Sequence, residues 1–270
     1  MEKSVLIKGD NYDIPGVLSY TETANKMTAV ILCHGTGAQK NEVGNLFAIL
    51  AEKLLQRGIA SVRIDYAGCG DSKADQRQLT FLGEVEDTKR TCQYICGLKY
   101  IDQKNIGILG FSQGARVAAE LLKETQEFTC VASWSGACQN GRGAFEGWFQ
   151  EYYQEAEERG YARIPMGWRD DLLLSKQWFD EIENTTPMEG FKKYTGPVLA
   201  VAGSTDEIVP CSHMKEIMAE STNEQSKMLI LPGADHIFNV LSEDKTMSEH
   251  VLGATADWFA EVMGGVKISK

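Results

Sequence analysis

Residues 110–114, with the sequence GFSQG, form the segment of this 270-residue chain whose residue types and spacing are best suited to chemistry. The apolar run before it predicts a strand over 105–110, and a helical pattern begins at Gln113. A serine in such a sharp strand-to-helix turn has a positive φ, and glycines two residues away on either side avoid steric clashes. The pattern therefore predicts that Ser112 is a nucleophile. The alternative is a tight turn with a serine N-cap.

A serine hydroxyl needs a base, usually histidine, before it can act as a nucleophile. Of the four histidines, His236 is the one that stands in a loop directly after a predicted strand, over 226–231. We therefore expect it at the same edge of the sheet as Ser112. The other histidines are predicted at the end of a strand or within helices: His34, His213 and His250.

A carboxylate must orient the histidine. Asp206 follows a predicted strand over 197–203 and gives the chain order nucleophile, acid, histidine. Glu207 and Asp235 are the alternatives. Glu207 neighbours Asp206 and is expected to point elsewhere, whereas Asp235 would have to fold back on its own backbone to reach the ring of His236.

Acyl transfer also requires two N–H donors for the oxyanion of the tetrahedral intermediate. We expect one to be the backbone N–H of Gln113 and the other to be the backbone N–H of Thr36, in the segment HGTG at 34–37. His34 is then interpreted as a structural residue of that loop. A phosphate-binding loop at the same segment is disfavoured, because no lysine followed by serine or threonine stands in the Walker arrangement.

The elements that position these residues follow from the alternation of short apolar runs with amphipathic stretches. This alternation predicts the α/β class, with a mostly parallel sheet covered by helices on both faces. Strands are predicted over 29–33, 59–65, 105–110, 129–134, 197–203 and 226–231, after an antiparallel pair over 3–8 and 16–20. Helices are predicted over 43–57, 79–98, 113–125, 212–220 and 245–263.

The interval 136–190 interrupts this alternation, since it lacks the buried-strand pattern and is rich in aromatic residues. We expect a mainly helical lid here, inserted into a core domain made of 1–135 and 191–270. Ligands of such sheets bind at the C-terminal ends of the strands, which the lid is expected to cover.

Three aromatic residues of the insertion, Trp148, Phe149 and Trp178, are predicted to line an acyl pocket. Apolar walls with few polar groups suit ester substrates. The alternative, expected for most aromatic residues of the insertion, is packing onto the main domain.

Composition narrows the range of partners. The net charge of −11 disfavours nucleic acids and anionic membrane surfaces. The chain shows no apolar signal peptide and no apolar run of the ~20 residues that cross a bilayer. Seven scattered cysteines without a CxxC pair favour reduced thiols over a metal site or disulfide framework. We expect a cytoplasmic protein with a small-molecule ester substrate and no metal or other cofactor, and a homodimer is left open.

Several segments resemble the bacterial serine hydrolases of the α/β-hydrolase superfamily that include cinnamoyl and feruloyl esterases and related carboxylesterases. The resemblance implies the α/β-hydrolase fold, a triad of Ser112, Asp206 and His236, and an oxyanion hole formed by Thr36 and Gln113. The segments are GFSQG at 110–114, HGTG at 34–37, KNE at 40–42, GIASVRIDY at 58–66, GCGDS at 68–72, DEIVP at 206–210 and GADH at 233–236.

Two positions depart from the pattern of these relatives. Many have a histidine where Cys69 stands, in a loop that is mostly structural, and an aromatic residue often replaces Thr36, which predicts a differently shaped acyl pocket. The sequence thus predicts a carboxylic-ester hydrolase for small or aromatic acyl groups. Peptidase, thioesterase and amidase activities use the same residues and stay open. A non-catalytic binding protein is disfavoured because the whole triad is present.

Overall fold

An eight-stranded sheet forms the centre of the molecule, which a computed structural model describes over residues 1–22 and 25–265. The strands run in the order β1-β2-β4-β3-β5-β6-β9-β10, while β7 and β8 form a separate ribbon. The pairs β1–β2 and β2–β4 are antiparallel, and each pair from β4–β3 onward is parallel. The strands are β1 (Glu2–Lys8), β2 (Asp13–Ser19), β3 (Met27–Cys33), β4 (Ile59–Ile64), β5 (Ile101–Phe111), β6 (Cys130–Trp134), β7 (Tyr161–Ile164), β8 (Leu172–Ser175), β9 (Val198–Gly203) and β10 (Lys227–Leu231).

Helices cover both faces of this sheet, so the predicted mostly parallel architecture is confirmed. None of the helices within 1–22 and 25–265 is long and apolar enough to span a bilayer. The helices are α1 (Leu46–Gln56), α2 (Phe81–Cys96), α3 (Gln113–Leu121), α4 (Glu146–Arg159), α5 (Lys176–Asn184), α6 (Met188–Lys193), α7 (Ser212–Glu220) and α8 (Thr246–Met263).

The central strand β3 contributes to the cores on both faces. Ile31 belongs to the cluster that includes Phe81 of α2 and Val117 of α3. Leu32 belongs to the opposite cluster, with Leu50 of α1 and Phe259 of α8. Successive side chains of a strand point to opposite faces, and strands buried on both faces are nearly continuous apolar runs. This is why these strands could be predicted from the sequence.

A few observed bounds differ from the predicted ones. β5 begins at Ile101, four residues earlier than predicted, because Ile101 pairs with Met27 of β3. α3 ends at Leu121 rather than at 125, since the N–H of Lys123 bonds the carbonyl of Glu120 in a tighter turn.

Helices make up most of the regular structure in the segment 136–190, and a short antiparallel ribbon of two strands accompanies them. The segment contains α4, α5 and the ribbon of β7 and β8, and α6 begins in it and continues to Lys193. Gly160, with φ 83°, ends α4 and turns the chain into β7. Ala162 and Ile164 are buried on one strand, and Leu172 and Leu174 on the other. This alternation gives a two-stranded ribbon with one apolar face, too short to stand out as a strand pattern.

Candidate active site

The turn at Ser112 joins the C-terminal end of β5 to the N-terminus of α3. Ser112 has φ 53° and ψ −116°, in the region that favours glycine. A Cβ on Gly110 would lie 2.2 Å from the carbonyl carbon of Gly114, and one on Gly114 would lie 2.0 Å from the carbonyl oxygen of Cys33. Both glycines are therefore required by close backbone approach. The N–H of Ser112 donates to the carbonyl of Trp134 at 2.8 Å, which holds the turn against β6.

His236 and Asp206 meet at the same edge of the sheet. Their Nδ1 and Oδ2 atoms are 2.8 Å apart. The other carboxylate oxygen of Asp206 accepts the backbone N–H groups of Ile208 and Val209, at 2.9 and 2.8 Å. Because these bonds fix Oδ1, Oδ2 is left to face the imidazole. His236 and Ser112 line one cavity.

The two alternative carboxylates lie elsewhere. Asp235 accepts the N–H groups of Ile237 and Asn239 through Oδ1 and so holds its own loop. Glu207 is exposed. The geometry therefore pairs Asp206, and neither alternative, with the ring of His236.

The loop after β3 is held by His34. This side chain is buried, and burial lowers its pKa to about 4. The N–H of Tyr66 donates to its Nε2 at 3.3 Å, so Nδ1 carries the proton and donates to the carbonyl of Gly35 at 2.8 Å. In a trans peptide the carbonyl and the N–H point in opposite directions, so the direction of the Gly35 carbonyl sets that of the Thr36 N–H. His34 thus fixes the direction of the Thr36 N–H.

The side chains of Thr36 and Gln113 are bonded to each other. The Thr36 hydroxyl donates to Oε1 of Gln113 at 2.8 Å, and Nε2 of Gln113 donates to the carboxylate of Glu84. Both Gln113 and Glu84 are buried, and burial raises the pKa of Glu84 well above its usual value. Sequence reasoning missed Glu84, because nothing in the helical pattern of 79–98 distinguishes a buried carboxylate from a solvated one.

The cavity at this edge has a volume of about 610 Å³ and mostly apolar walls. Glu42 and Gln39 are among its few polar side chains. At its opening lie three exposed side chains, Trp168, Ile208 and Leu241, which we call the apolar mouth; their exposed fractions are 62%, 62% and 68%. Further apolar walls come from Val43, Phe111, Ala137, Phe145, Trp148, Met166, Val209 and Ile237.

The structure places the three aromatic residues that were predicted to line an acyl pocket in different surroundings. Trp148 lines the cavity, but Phe149 and Trp178 do not. Adjacent residues of a helix point about 100° apart, so Phe149 of α4 turns away and packs edge-on against Phe179, with ring centroids 5.2 Å apart. Trp178 is fully buried in a second layer beneath Phe145, with centroids 5.2 Å apart.

Among residues 1–22 and 25–265, no three or more His, Cys, Asp or Glu side chains are arranged so that they could hold a metal ion. All seven cysteines are free thiols.

The sequence matches a model of the prolyl oligopeptidase family over residues 47–266. An uncharacterised protein of Mycobacterium tuberculosis, MT2364, is 22% identical over 223 residues, which cover 83% of this chain and 68% of that protein.

Two solved structures show the same fold. The ferulic acid complex of Est1E from Butyrivibrio proteoclasticus has a TM-score of 0.77 at 19% identity and covers 96% of this chain and 99% of that one. The α/β-hydrolase GrgF from Penicillium sp. sh18 has a TM-score of 0.76 at 14% identity and covers 98% and 99%. At such identities the likeness concerns the fold, and the predicted α/β-hydrolase fold is confirmed.

Proposed function

Because the chain belongs to the prolyl oligopeptidase family and has the α/β-hydrolase fold, we propose that it is a serine hydrolase of carboxylic esters with small or aromatic acyl groups. One observation carries the proposal. Ser112, on a positive-φ turn, shares a cavity with His236, whose ring bonds Asp206 at 2.8 Å.

The proposed reaction uses these groups in sequence. Nε2 of His236 takes the hydroxyl proton as Ser112 Oγ attacks the acyl carbon, and Asp206 stabilises the imidazolium that forms. The imidazolium then gives its proton to the leaving alcohol, and the acyl group stays on Ser112. Water attacks this acyl-enzyme with His236 again as base, which releases the acid and restores the serine.

The oxyanion formed in both steps is proposed to accept the N–H groups of Thr36 and Gln113. Their directions are fixed by the loop bonds of His34 and by the N-terminus of α3. Losing one such donor typically lowers turnover by about 10²–10³-fold.

The cavity supports a small organic acyl group. About 610 Å³ lies within the range of small-molecule sites, roughly 300–1,000 Å³, and its walls are mostly apolar. The similar fold of Est1E has been solved with ferulic acid, an aromatic acid, and this supports including aromatic acyl groups in the proposal.

The test is a panel of nitrophenyl esters from acetate to laurate, with methyl ferulate added, and labelling by a fluorophosphonate probe. We expect turnover and labelling of the wild type and neither for Ser112→Ala. Ser4→Ala, an exposed serine of β1, is the matched control and should behave as the wild type. Labelling of Ser112→Ala at another serine would contradict the assignment of the nucleophile.

A second candidate is hydrolysis of a peptide bond, which the family match favours. The same residues would serve, with an amine as the leaving group. Peptidyl-proline nitroanilides added to the ester panel decide between the two. A kcat/KM for the anilide above that of every ester would make the chain a peptidase.

A further inference from the structure

Glu42 is a buried carboxylate in the cavity wall that the proposed triad does not use. Its side chain is 5% exposed, and it lines the cavity with Ser112 and His236. Oε1 accepts the N–H of Gly35 at 2.6 Å, and Oε2 accepts the N–H of Val43 at 2.9 Å. A Cβ on Gly35 would lie 3.4 Å from both Glu42 Oε1 and the Cβ of Ser112. The carboxylate and the nucleophile thus lie against the same glycine.

The backbone of Glu42 is strained. It has φ 61° and ψ 173°, a combination that is essentially restricted to glycine. A glutamate here carries this strain as well as the cost of burying a carboxylate. Such outliers persist where the surrounding structure enforces them and cluster at functional sites. The side chain must therefore contribute something that glycine, which relieves both costs, does not.

The bonds of Glu42 complete the fixation of the loop after β3. His34 holds the carbonyl of Gly35 and Glu42 holds its N–H, so both peptide planes around Gly35 are fixed. One of these planes carries the N–H of Thr36. We propose that Glu42 is a positioning residue: its ionised carboxylate holds the oxyanion loop through Gly35 and stabilises the imidazolium of His236 during turnover. This rests on the proposed serine hydrolase function.

The charge of Glu42 is set by its surroundings. Burial raises the pKa of Glu42 to about 7, while the N–H groups of Gly35 and Val43 and the charge of His236 act in the opposite direction. The positive charge of Lys40, on the same loop, is paired with the carboxylates of Asp65 and Asp71, each at 2.7 Å. With a pKa of about 7, the carboxyl group of Glu42 is mostly ionised at pH 8 and mostly protonated at pH 6. Its contribution to kcat should therefore be larger at pH 8 than at pH 6.

The test compares Glu42→Gln with the wild type and with Glu52→Gln, an exposed glutamate of α1. At pH 8 we expect Glu42→Gln to lower kcat about 10–100-fold with KM within about twofold, as the loss of an electrostatic contribution does. At pH 6, where the wild-type carboxyl is mostly protonated, the ratio of wild-type to variant kcat should fall well below its value at pH 8. It should stay above one, because the amide nitrogen of glutamine cannot accept either backbone N–H group. Glu52→Gln should match the wild type at both pH values.

Glu42→Gly separates the carboxylate from the backbone. Glycine adopts φ 61° without strain, and this gain opposes the loss of the acceptor for the N–H groups of Gly35 and Val43, so the variant should stay folded while kcat at pH 8 falls at least as far as in Glu42→Gln. If Glu42→Gln does not fold, the kcat of Glu42→Gly at pH 8 tests whether the carboxylate contributes to turnover.

Three outcomes would overturn the proposal: wild-type kcat in both Glu42 variants, a loss of kcat that is equal at pH 6 and pH 8, or a change confined to KM. These are distinct from failure of the proposed function. In that case the wild type itself would neither hydrolyse the panel nor react with the fluorophosphonate.

Discussion

The two sides of the cavity are built from different interactions. On the side of Ser112 and His236, which we call the catalytic side after the proposed function, buried polar groups are bonded to the backbone. Asp206 and Glu42 each accept two N–H groups, and His34 bonds a carbonyl. On the other side, the apolar mouth consists of Trp168, Ile208 and Leu241, which are largely exposed. The first side is preorganised by directional bonds, whereas the second offers surface that a ligand can cover.

This difference assigns different consequences to the two sides. Catalysis depends on groups held in place before the substrate arrives, because preorganised dipoles need not reorient during the reaction. Binding of an apolar group depends on the area that it covers. Substitutions on the catalytic side should therefore lower kcat, and those at the apolar mouth should raise KM.

The largest effect is expected for Asp206→Asn. The amide keeps an oxygen for the N–H groups of Ile208 and Val209, so the loop should stay folded, but it no longer stabilises the imidazolium of His236. We expect kcat to fall about 10⁴-fold with an unchanged circular dichroism spectrum. Glu207→Gln, an exposed neighbour, is the control and should retain wild-type kcat. Near-native turnover in Asp206→Asn would assign the orienting role to another carboxylate.

A smaller loss is expected for Gln113→Ala. The substitution keeps the backbone N–H of residue 113 but removes the partner of the Thr36 hydroxyl and the donor to Glu84. We expect kcat to fall about tenfold and the free energy of unfolding to fall by about 1–3 kcal/mol, since buried polar groups lose their partners. Kinetics and urea denaturation measure the two effects. Gln126→Ala, at a partly exposed surface site, should change neither. An unchanged kcat would show that the Thr36 loop is held without this bond.

Glu84→Gln tests the electrostatic cost of the catalytic side. Burial raises the pKa of Glu84, so between its ordinary and its raised value the native state holds a proton that the unfolded chain has released. The native state is then favoured at low pH, and this advantage is lost as pH rises, at up to about 1.4 kcal/mol per pH unit. Glutamine removes this dependence and still accepts the bond from Gln113.

We therefore expect the free energy of unfolding of Glu84→Gln, relative to the wild type, to rise between pH 5 and pH 8. Urea denaturation at several pH values measures it. Glu127→Gln, an exposed residue after α3, provides the reference. Parallel pH profiles for Glu84→Gln and the wild type would contradict the idea that Glu84 is buried at an electrostatic cost.

The same division explains which parts of the molecule the sequence predicts. The turn at Ser112 could be predicted from the sequence because its backbone geometry requires glycine at both 110 and 114. The proximity of Asp206 and His236 could be predicted because each follows a parallel strand, and the C-terminal ends of parallel strands lie at one edge of the sheet. These are local constraints, which a local pattern records.

The residues of the cavity walls could not be predicted from the sequence, because they depend on which face of each helix or loop turns inward. Trp148 and Phe149 are neighbours of one type, and only the packing of α4 places one at the cavity and the other in the core. Glu42 and Glu84 resemble surface glutamates in the sequence, and their burial follows from tertiary contacts. The apolar mouth brings together residues from three loops far apart in the chain.

The smallest effect is expected at the apolar mouth. Trp168 is 62% exposed, so a ligand can cover its ring without rearranging the core. For Trp168→Ala we expect a several-fold rise in KM for the longer and aromatic esters, an unchanged kcat, and little change for the acetate, because an acetyl group offers little apolar area for the ring of Trp168 to cover. Leu6→Ala, an exposed apolar residue of β1 far from the cavity, should alter neither constant. If Trp168→Ala lowers kcat for the acetate as well, the mouth also helps to hold the catalytic side. The bond from neighbouring Arg169 to the carbonyl of Gly37 is then the contact through which it does so.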